Sequence, residues 1–310
     1  MPAYNSALYI ASAVQSALQD AGSAVEVVVV DDGSTDETVA TVRALDDARI
    51  TLIPISASGG PSRPRNVGVA HAKAPYVSLL DSDDLLKPGK LAASVSALDC
   101  CPSAGFAFGD YEKMDADGNI FETSITYAYP VFRSLAWQPA GVDDWRLICQ
   151  PELARGLLYE NFVGTSSVVA RKDLVMSLGG FDESLSNGDD LDLWFRLAHH
   201  SGAVYSPRVG HSYRVHATSV VHGPPLRNAA ARLKVLRRER TRWSDPAARR
   251  QLDRRIAENL GVIAYQHRRL GHRMTAMRSF WQAYLASPES RWVTSLIAAA
   301  FLEPEESAPP

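Results

Sequence analysis

The chemistry available to this chain lies first in its carboxylates. Asp81-Ser82-Asp83-Asp84 follows directly on the apolar run at 76–80, and Asp31-Asp32 follows on the run at 25–30. Carboxylates crowded like this repel each other, and they make sense around a cation. Hard oxygen ligands suit Mg²⁺ or Mn²⁺, with phosphate oxygens and water completing the shell. The pattern therefore points to a diphosphate-bearing substrate and a metal that stabilises the diphosphate as it leaves. His216, in Tyr213-Arg214-Val215-His216, can supply a further ligand beside Asp83, and Arg214 suits a phosphate. Arg63 and Arg65 stand before Asn66 at the start of an expected helix. Cations are disfavoured at that end of a helix, which favours a ligand role for them. Asp189-Asp190 opens another expected helix. Acids occur there simply as caps. One carboxylate so placed can also take the proton from an attacking hydroxyl, and a neighbouring acid raises its pKa toward a useful range.

The elements that must hold these residues alternate. Asn5 and Ser6 are expected to cap a helix reaching about Asp20, with Ala7, Ala11, Val14 and Leu18 on its inner face and Gly22 ending it. Residues 25–30 (VEVVVV) read as a strand buried on both faces. Ser34-Thr35-Asp36-Glu37 fits a capping box. Residues 50–55 read as a strand, 61–73 as loop and helix, and 76–80 (YVSLL) as a second buried strand. Pro88 suits the first turn of the next helix, and 104–108 and 165–170 read as strands. A short helix ends at Gly179-Gly180, and a longer one spans 189–200 with Leu193, Trp194 and Leu197 inward. Residues 203–216 are expected to form two short strands broken near Pro207. Strands alternating with helices predict βαβ units and an α/β fold with a mainly parallel sheet. In such sheets ligands bind beyond the carboxyl ends of strands. Both early acidic clusters fall there. A lone Asp-x-Asp says little, since short acidic loops are common; its place at a strand end gives it weight.

The chain has 310 residues, 46% apolar and 22% charged, enough for one large core and an appended unit. Cys100, Cys101 and Cys149 show no metal-binding spacing and read as reduced thiols of a cytosolic protein. No run of 18 apolar residues suggests a membrane span, and no basic and apolar leader suggests secretion. The net charge of −3 conceals an asymmetry. Residues 226–278 hold 15 Lys/Arg against 4 Asp/Glu, a net +11, which leaves the first 225 residues strongly acidic. The basic stretch reads as a solvated helical face, or as a docking surface for an anionic membrane or an acidic partner. Within it, Ala264, Gly271, Ala276, Phe280, Ala283 and Pro288 fall at the spacing of a tetratricopeptide-like hairpin. The expected organisation is a catalytic domain over 1–222, a basic helical extension over 223–300 and a disordered tail over 301–310.

Six segments occur in the order of a known family. They are Pro2-Ala3-Tyr4-Asn5, Val28-Val29-Val30-Asp31-Asp32-Gly33-Ser34-Thr35-Asp36, Arg65-Asn66, Leu80-Asp81-Ser82-Asp83-Asp84, Gly179-Gly180-Phe181-Asp182-Glu183 and Asp189-Asp190-Leu191-Asp192-Leu193-Trp194. Over about residues 1–220 the chain resembles the family 2 glycosyltransferases of GT-A fold. The resemblance implies an inverting transfer of a sugar from a nucleotide diphosphate donor, UDP foremost and then TDP or GDP. The implied acceptor is a hydroxyl on a glycan, a lipid-linked sugar or a small molecule, and nucleic acid is not an expected partner. Pro2 and Tyr4 would border the nucleobase, Asp32 would accept a hydrogen bond from it, and Arg65 would lie nearby. Asp81 would contact the ribose, with Ser82 beside the donor. Asp83 would bind Mn²⁺ or Mg²⁺ together with His216. Asp190 would be the base, and Thr165, Ser166, Asp189 and Trp194 would face the sugar or acceptor. The implied setting is cytoplasmic, with the basic helices available at the inner membrane face.

Two departures stand out. Family members carry an apolar strand just before Pro-x-Tyr-Asn, where this chain has only Met1, so the sheet is expected to be weaker beside the nucleobase. Position 189 is Asp where the family commonly has Glu. A sugar nucleotidyltransferase would share the acidic sheet but needs a glycine-rich phosphate loop, for which Gly59-Gly60 is the nearest candidate. A non-catalytic scaffold using the helical end is the other alternative.

Overall fold

The computed structural model describes residues 1–19, 25–216 and 224–301, and the chain divides into two compact units, Met1–His216 and Ala217–Pro310. The expected helix stop at Gly22, the expected boundary near 222 and the tail beyond 301 lie outside the described residues.

The first unit opens with β1 (Pro2–Ala3), α1 (Ile10–Leu18), β2 (Val27–Asp31), α2 (Thr38–Arg43), β3 (Ile50–Pro54), α3 (Ser62–His71), β4 (Tyr76–Ser78), β5 (Leu85–Leu86) and α4 (Lys90–Cys100). It continues with β6 (Ala104–Met114), β7 (Ile120–Glu122), α5 (Ile125–Ala128), α6 (Pro130–Ser134), β8 (Gln138–Pro139), β9 (Arg146–Ile148) and α7 (Gln150–Leu157). β10 (Val169–Arg171), α8 (Lys172–Ser177), α9 (Asp189–Ala198) and β11 (Gly202–Arg214) complete it. The parallel pairing expected from the βαβ rhythm holds in a three-stranded sheet, β1-β2-β3. The larger sheet, β4-β10-β6-β11-β9-β8, is mixed: β6 and β11 run parallel, and the other neighbours along it run antiparallel.

Local chemistry moved several elements. Asn5 and Ser6 do not cap α1, whose N-cap is Tyr9. Asn5 takes a left-handed φ of 48° and its Oδ1 accepts from Thr35 N–H at 2.8 Å instead. The buried face of α1 is Ile10, Ala13, Val14 and Ala17, one step round from the face expected. The capping box at 34–37 is displaced too: Asp36 Oδ1 accepts from Thr38 N–H at 3.0 Å, and Glu37 gives no side-chain cap. Pro88 precedes the cap Gly89 rather than starting α4. Residues 202–214 form one strand, not two; Pro207 is absorbed by a bulge between Ser206 and Val209. A proline is tolerated at such a bulge because its missing N–H is not needed there.

The core of this unit lies between the sheets and their helices. Val27 through Val30 are all buried, as a strand covered on both faces requires. Trp194, Phe106, Phe108, Phe162 and Tyr205 build an aromatic centre, with Trp194 stacked on Phe106 at 5.9 Å. The Gly179-Gly180-Phe181 turn is pinned to α3 by Asn66. Its Oδ1 accepts from Phe181 N–H at 2.7 Å, and its Nδ2 donates to Phe181 O and Glu183 Oε1, both at 2.9 Å. Gly180 has φ 66°, and a Cβ there would meet Asn66 Oδ1 at 2.5 Å, so the close fit demands glycine.

The second unit is helical: α10 (Pro225–Arg242), α11 (Pro246–Arg269), α12 (Arg273–Ala286) and α13 (Ser290–Phe301). Asp245 caps α11, accepting from Ala247 and Ala248 N–H at 3.2 Å. Gly271, at φ 75°, turns the chain from α11 into α12. Ala264, Ala276, Phe280 and Ala283, the small and apolar positions of the expected hairpin, are buried. No helix among the described residues is long and apolar enough to cross a membrane.

Asn66→Ala removes three hydrogen bonds and leaves Phe181 N–H unpaired. We expect a loss of about 1–3 kcal/mol and a fall in Tm of roughly 2–4 °C per kcal/mol. An unchanged thermal melt would show that the turn is held by packing alone.

Candidate active site

The site forms where β2 and β4 end. Asp31 and Asp32 close β2, and β4 runs through Leu79-Leu80 into Asp81. Arg65, in the first turn of α3, reaches across. Its Nη2 donates to Asp81 Oδ1 and its Nη1 to Asp189 Oδ2, both at 2.7 Å. The guanidinium is buried and lies 5.3 Å from the Phe181 ring centroid. Burial works against its charge, but the Asp81 and Asp189 carboxylates outweigh it and hold the pKa above the ordinary arginine range.

Asp83 and His216 come together as expected: Asp83 Oδ2 lies 2.8 Å from His216 Nε2. The chain is carried there by Arg214. Its N–H donates to the buried Asp84 Oδ1 and its Nε to Asp83 O, both at 2.9 Å. Its Nη1 donates to Ala116 O and Asp115 O, and the guanidinium lies over Tyr9 at 4.6 Å. Tyr9 also packs against His216, ring to ring at 5.1 Å. The Arg214 side chain is thereby tied to the main-chain carbonyls of Asp83, Asp115 and Ala116.

The acidic loop carries more charge than its partners neutralise. Burial, and then Asp81, raise the pKa of Asp83, against the hydrogen bond from His216. Asp84 is pushed well up by burial and by Asp83 and Asp81. Asp190 is raised by burial and by Asp189. Its Oδ2 accepts from Asn161 Nδ2 at 2.9 Å and its Oδ1 from Leu191 N–H at 2.7 Å. The Tyr213 hydroxyl lies among these acids: after burial, Asp84, Asp81, Asp83 and Asp190 all push its pKa up. Among the described residues no group of three or more His, Cys, Asp or Glu forms a ready metal cage. Asp83 and His216 make a two-ligand set beside surplus negative charge. That fits Mg²⁺ or Mn²⁺, which bind through one or two carboxylates and take the remaining ligands from substrate phosphate and water.

On the other side, Asp32 is buried and already accepts from Ser58 N–H at 2.8 Å and Ser58 Oγ at 2.9 Å. Pro2 is half-buried, while Tyr4 is 58% exposed at the rim. Ser82 Oγ pairs with Ser6 Oγ at 2.7 Å, tying the acidic loop to the N-terminal segment. Arg63 is exposed. Thr165 is half-buried at the start of a 3-10 turn.

Three expectations for the sugar or acceptor side are corrected. Trp194 has no exposed surface and belongs to the aromatic core, because the inner face of α9 carries it away from the cleft. Ser166 is buried and accepts from Asp81 N–H at 3.1 Å, so it supports the acidic loop. Asp189 is buried and bound to Arg65, so it faces its cation rather than an acceptor. Sequence reasoning also missed Tyr9, Tyr213, Asn161 and Ser6. None lies in an acidic or glycine-rich motif, although Tyr213 adjoins the Arg214–His216 segment that was singled out.

Arg65→Met leaves the Asp81 and Asp189 carboxylates without their cation. Breaking such a pair costs on the order of 3 kcal/mol. Urea melts of the variant and the parent measure this. A deficit below about 1 kcal/mol would mean that the two carboxylates do not depend on the arginine.

Residues 1–138 match the sequence model of glycosyl transferase family 2. The succinoglycan biosynthesis protein ExoO of Rhizobium meliloti is 31% identical over 234 residues, 70% of this chain and 60% of that protein. ExoU from the same organism is 42% identical over 96 residues, 30% of this chain and 28% of that protein. The chain thus spans about 60% or less of the length of these curated relatives. Among solved structures, S. aureus TarS 1-349 in complex with UDP superposes with a TM-score of 0.62 at 19% identity, covering 96% of this chain and 85% of that one. The mannosyltransferase PcManGT of Pyrobaculum calidifontis, in complex with GDP-Man and Mn²⁺, gives 0.60 at 19% identity, covering 97% and 78%. By sequence over residues 1–138 and by fold, this chain belongs to glycosyl transferase family 2 and has the GT-A fold.

Proposed function

We propose that the Met1–His216 unit transfers a sugar, with inversion, from a nucleotide diphosphate donor to an acceptor hydroxyl on a glycan, a lipid-linked sugar or a small molecule. The observation that carries this reading is Arg65. It fixes Asp81 at the end of one strand and Asp189-Asp190 at the start of α9 around one guanidinium. A donor-side acid and a candidate base are thereby held in one site.

The nucleobase rests between Pro2, Tyr4 and Asp32. With Asp81 Oδ1 held by Arg65, its second oxygen accepts from a ribose hydroxyl. Asp83 and His216 hold Mn²⁺ or Mg²⁺, which when bound offsets charge on the diphosphate. The charge surplus at Asp83 and Asp84 supports a cation there. Asp190 is the base. Asn161 and Leu191 N–H orient its carboxylate. Its raised pKa makes it a better proton acceptor than an ordinary aspartate. It takes the proton from the acceptor hydroxyl as that oxygen attacks the anomeric carbon and the bond to the diphosphate breaks. One displacement inverts the anomeric centre. The bound UDP of TarS and the GDP-Man and Mn²⁺ of PcManGT support a nucleotide-sugar donor and a divalent metal, with UDP the donor base favoured here.

Asp190→Asn should lower kcat at least ~100-fold with donor affinity kept. The parent enzyme should lose rate as pH falls through the raised pKa of Asp190, because protonation disables the base, and the variant's residual rate should lack that limb. Steady-state rates across pH measure both effects, and near-full activity in the variant would remove Asp190 from its role. Asp83→Ala should abolish the Mn²⁺ dependence of UDP-sugar binding in calorimetry. Equal affinity with and without Mn²⁺ in the parent would overturn the metal assignment. The released product should be a nucleoside diphosphate; pyrophosphate would instead mark a nucleotidyltransferase.

A further inference from the structure

Helix α12 carries apolar side chains on both of its sides. Ala276, Ser279, Phe280 and Ala283 form its buried stripe. Met274, Trp281 and Leu285 lie on the other side, with 73%, 49% and 61% of their surface exposed. Successive residues of an α-helix turn by about 100°. Each of these three stands two positions from a buried alanine, Ala276 or Ala283, and so almost diametrically opposite it. Together with the exposed Arg278 they fall at spacings of four, three and four, along one stripe roughly 16 Å long. Met277 and Tyr284 flank the stripe half-buried, with the Tyr284 ring stacked on Trp281 at 5.6 Å. A helix that faces water carries polar residues at that pole, and one that is apolar all round is buried.

The charge near the stripe has a single sign. From Asn259 to Pro288 the chain holds Arg268, Arg269, Arg273 and Arg278, two histidines and no Asp or Glu. All four acids of the basic stretch, Glu239, Asp245, Asp253 and Glu258, precede Asn259. There arginines meet them: Arg240 pairs with Asp253, and Arg242 with Glu239. The half of the stretch that lacks acids is therefore the half that exposes Met274, Trp281 and Leu285.

Such a face asks for an apolar layer edged by negative charge. A second copy of this chain would set arginine against arginine, with no acid on the stripe to receive either, and like charges brought together weaken an interface. A bilayer of anionic lipid supplies both parts. Its acyl chains take the apolar side chains, and its phosphates lie where the long stem of Arg278 can reach them. Tryptophan and tyrosine favour that boundary, being apolar rings with one polar atom.

We propose that the outer face of α12 docks the protein on an anionic membrane surface. The helix lies in the plane of the interface, with Met274, Trp281 and Leu285 among the acyl chains and Arg278 at the phosphates. The proposal concerns the second unit and is independent of the transfer reaction.

The test uses the full chain and vesicles of phosphatidylcholine, with and without phosphatidylglycerol, read by co-sedimentation. The partition constant should be at least ~10-fold higher on the anionic vesicles. Trp281→Gln combined with Leu285→Gln should lower binding to them at least ~10-fold, and Arg278→Glu at least ~5-fold. Both variants should keep the parent's thermal melt, because these three side chains are exposed. Trp281→Phe keeps the apolar contact and should keep binding, yet it should lose the quenching of tryptophan fluorescence by lipids brominated in their acyl chains. No binding of the parent to anionic vesicles would overturn the proposal. A dimer in ultracentrifugation that the double variant dissolves would then assign the face to a second copy. Undiminished binding by the double variant, or unchanged quenching in Trp281→Phe, would also overturn it, since the basic stretch would then act by charge alone and from another face.

Discussion

One buried guanidinium sets the geometry of the active site. Arg65 sits on α3, yet its two partners come from the end of β4 and the start of α9. An arginine buried to this degree without carboxylates would be costly, and Asp81 and Asp189 would be costly without it. Neither side can relax alone, so three distant segments are locked to one centre. The planar fork of arginine suits this better than lysine, because it offers separate donors in fixed directions. Asp190 inherits its place from the pair next to it. It is adjacent to a residue that cannot move, and Asn161 holds its other side.

Around that neutralised centre the remaining acids are left short of cations. Asp83, Asp84 and Asp190 all have raised pKa values, with burial as the leading cause in each. Such an excess disfavours the folded chain at neutral pH, where it must hold ionised groups that would rather bind protons. Structural acids are normally paired with a full cation; here Asp83 has His216, and Arg214 stands within reach. Its side chain goes instead to the carbonyls of Asp83, Asp115 and Ala116. The loop is thereby held rigid while its carboxylates stay under-compensated. A divalent ion and a proton in flight are what such a site can accommodate.

Much of this was legible in the sequence, for a physical reason. Asp32 follows the β-branched run at 25–30, and Asp81 and Asp83 follow the largely apolar run at 76–80; such runs read as buried strands whose ends open at a ligand cleft. His216 lies beside Asp83, where a further ligand was expected. What failed were inferences about side-chain direction. Trp194 follows Asp190 by four residues on α9, yet α9 buries almost every side chain after Asp190, and the indole entered the core. Ser166 and Asp189 were near the site but behind it, bonded to Asp81 and Arg65. Asn5 and Ser6 carried a correct capping signature, and tertiary partners at Thr35 and Ser82 outbid the helix for them. Tyr9 and Tyr213 gave no signal because an aromatic residue in an apolar stretch is ordinarily core.

A few specific bonds hold the end of β2 and the acidic loop after β4 in place. Asp32 N–H donates to Ala3 O at 2.8 Å, Ser6 bonds Ser82, and Arg65 reaches Asp81 from α3. The last two are side-chain ties, and each can be lost singly, so the placing of the acidic loop leans on one guanidinium and one pair of hydroxyls. For the transfer proposed above, preorganised carboxylates are where the site would gain its rate. Arg65 serves that end twice, because the guanidinium that fixes Asp81 also fixes the residue next to Asp190.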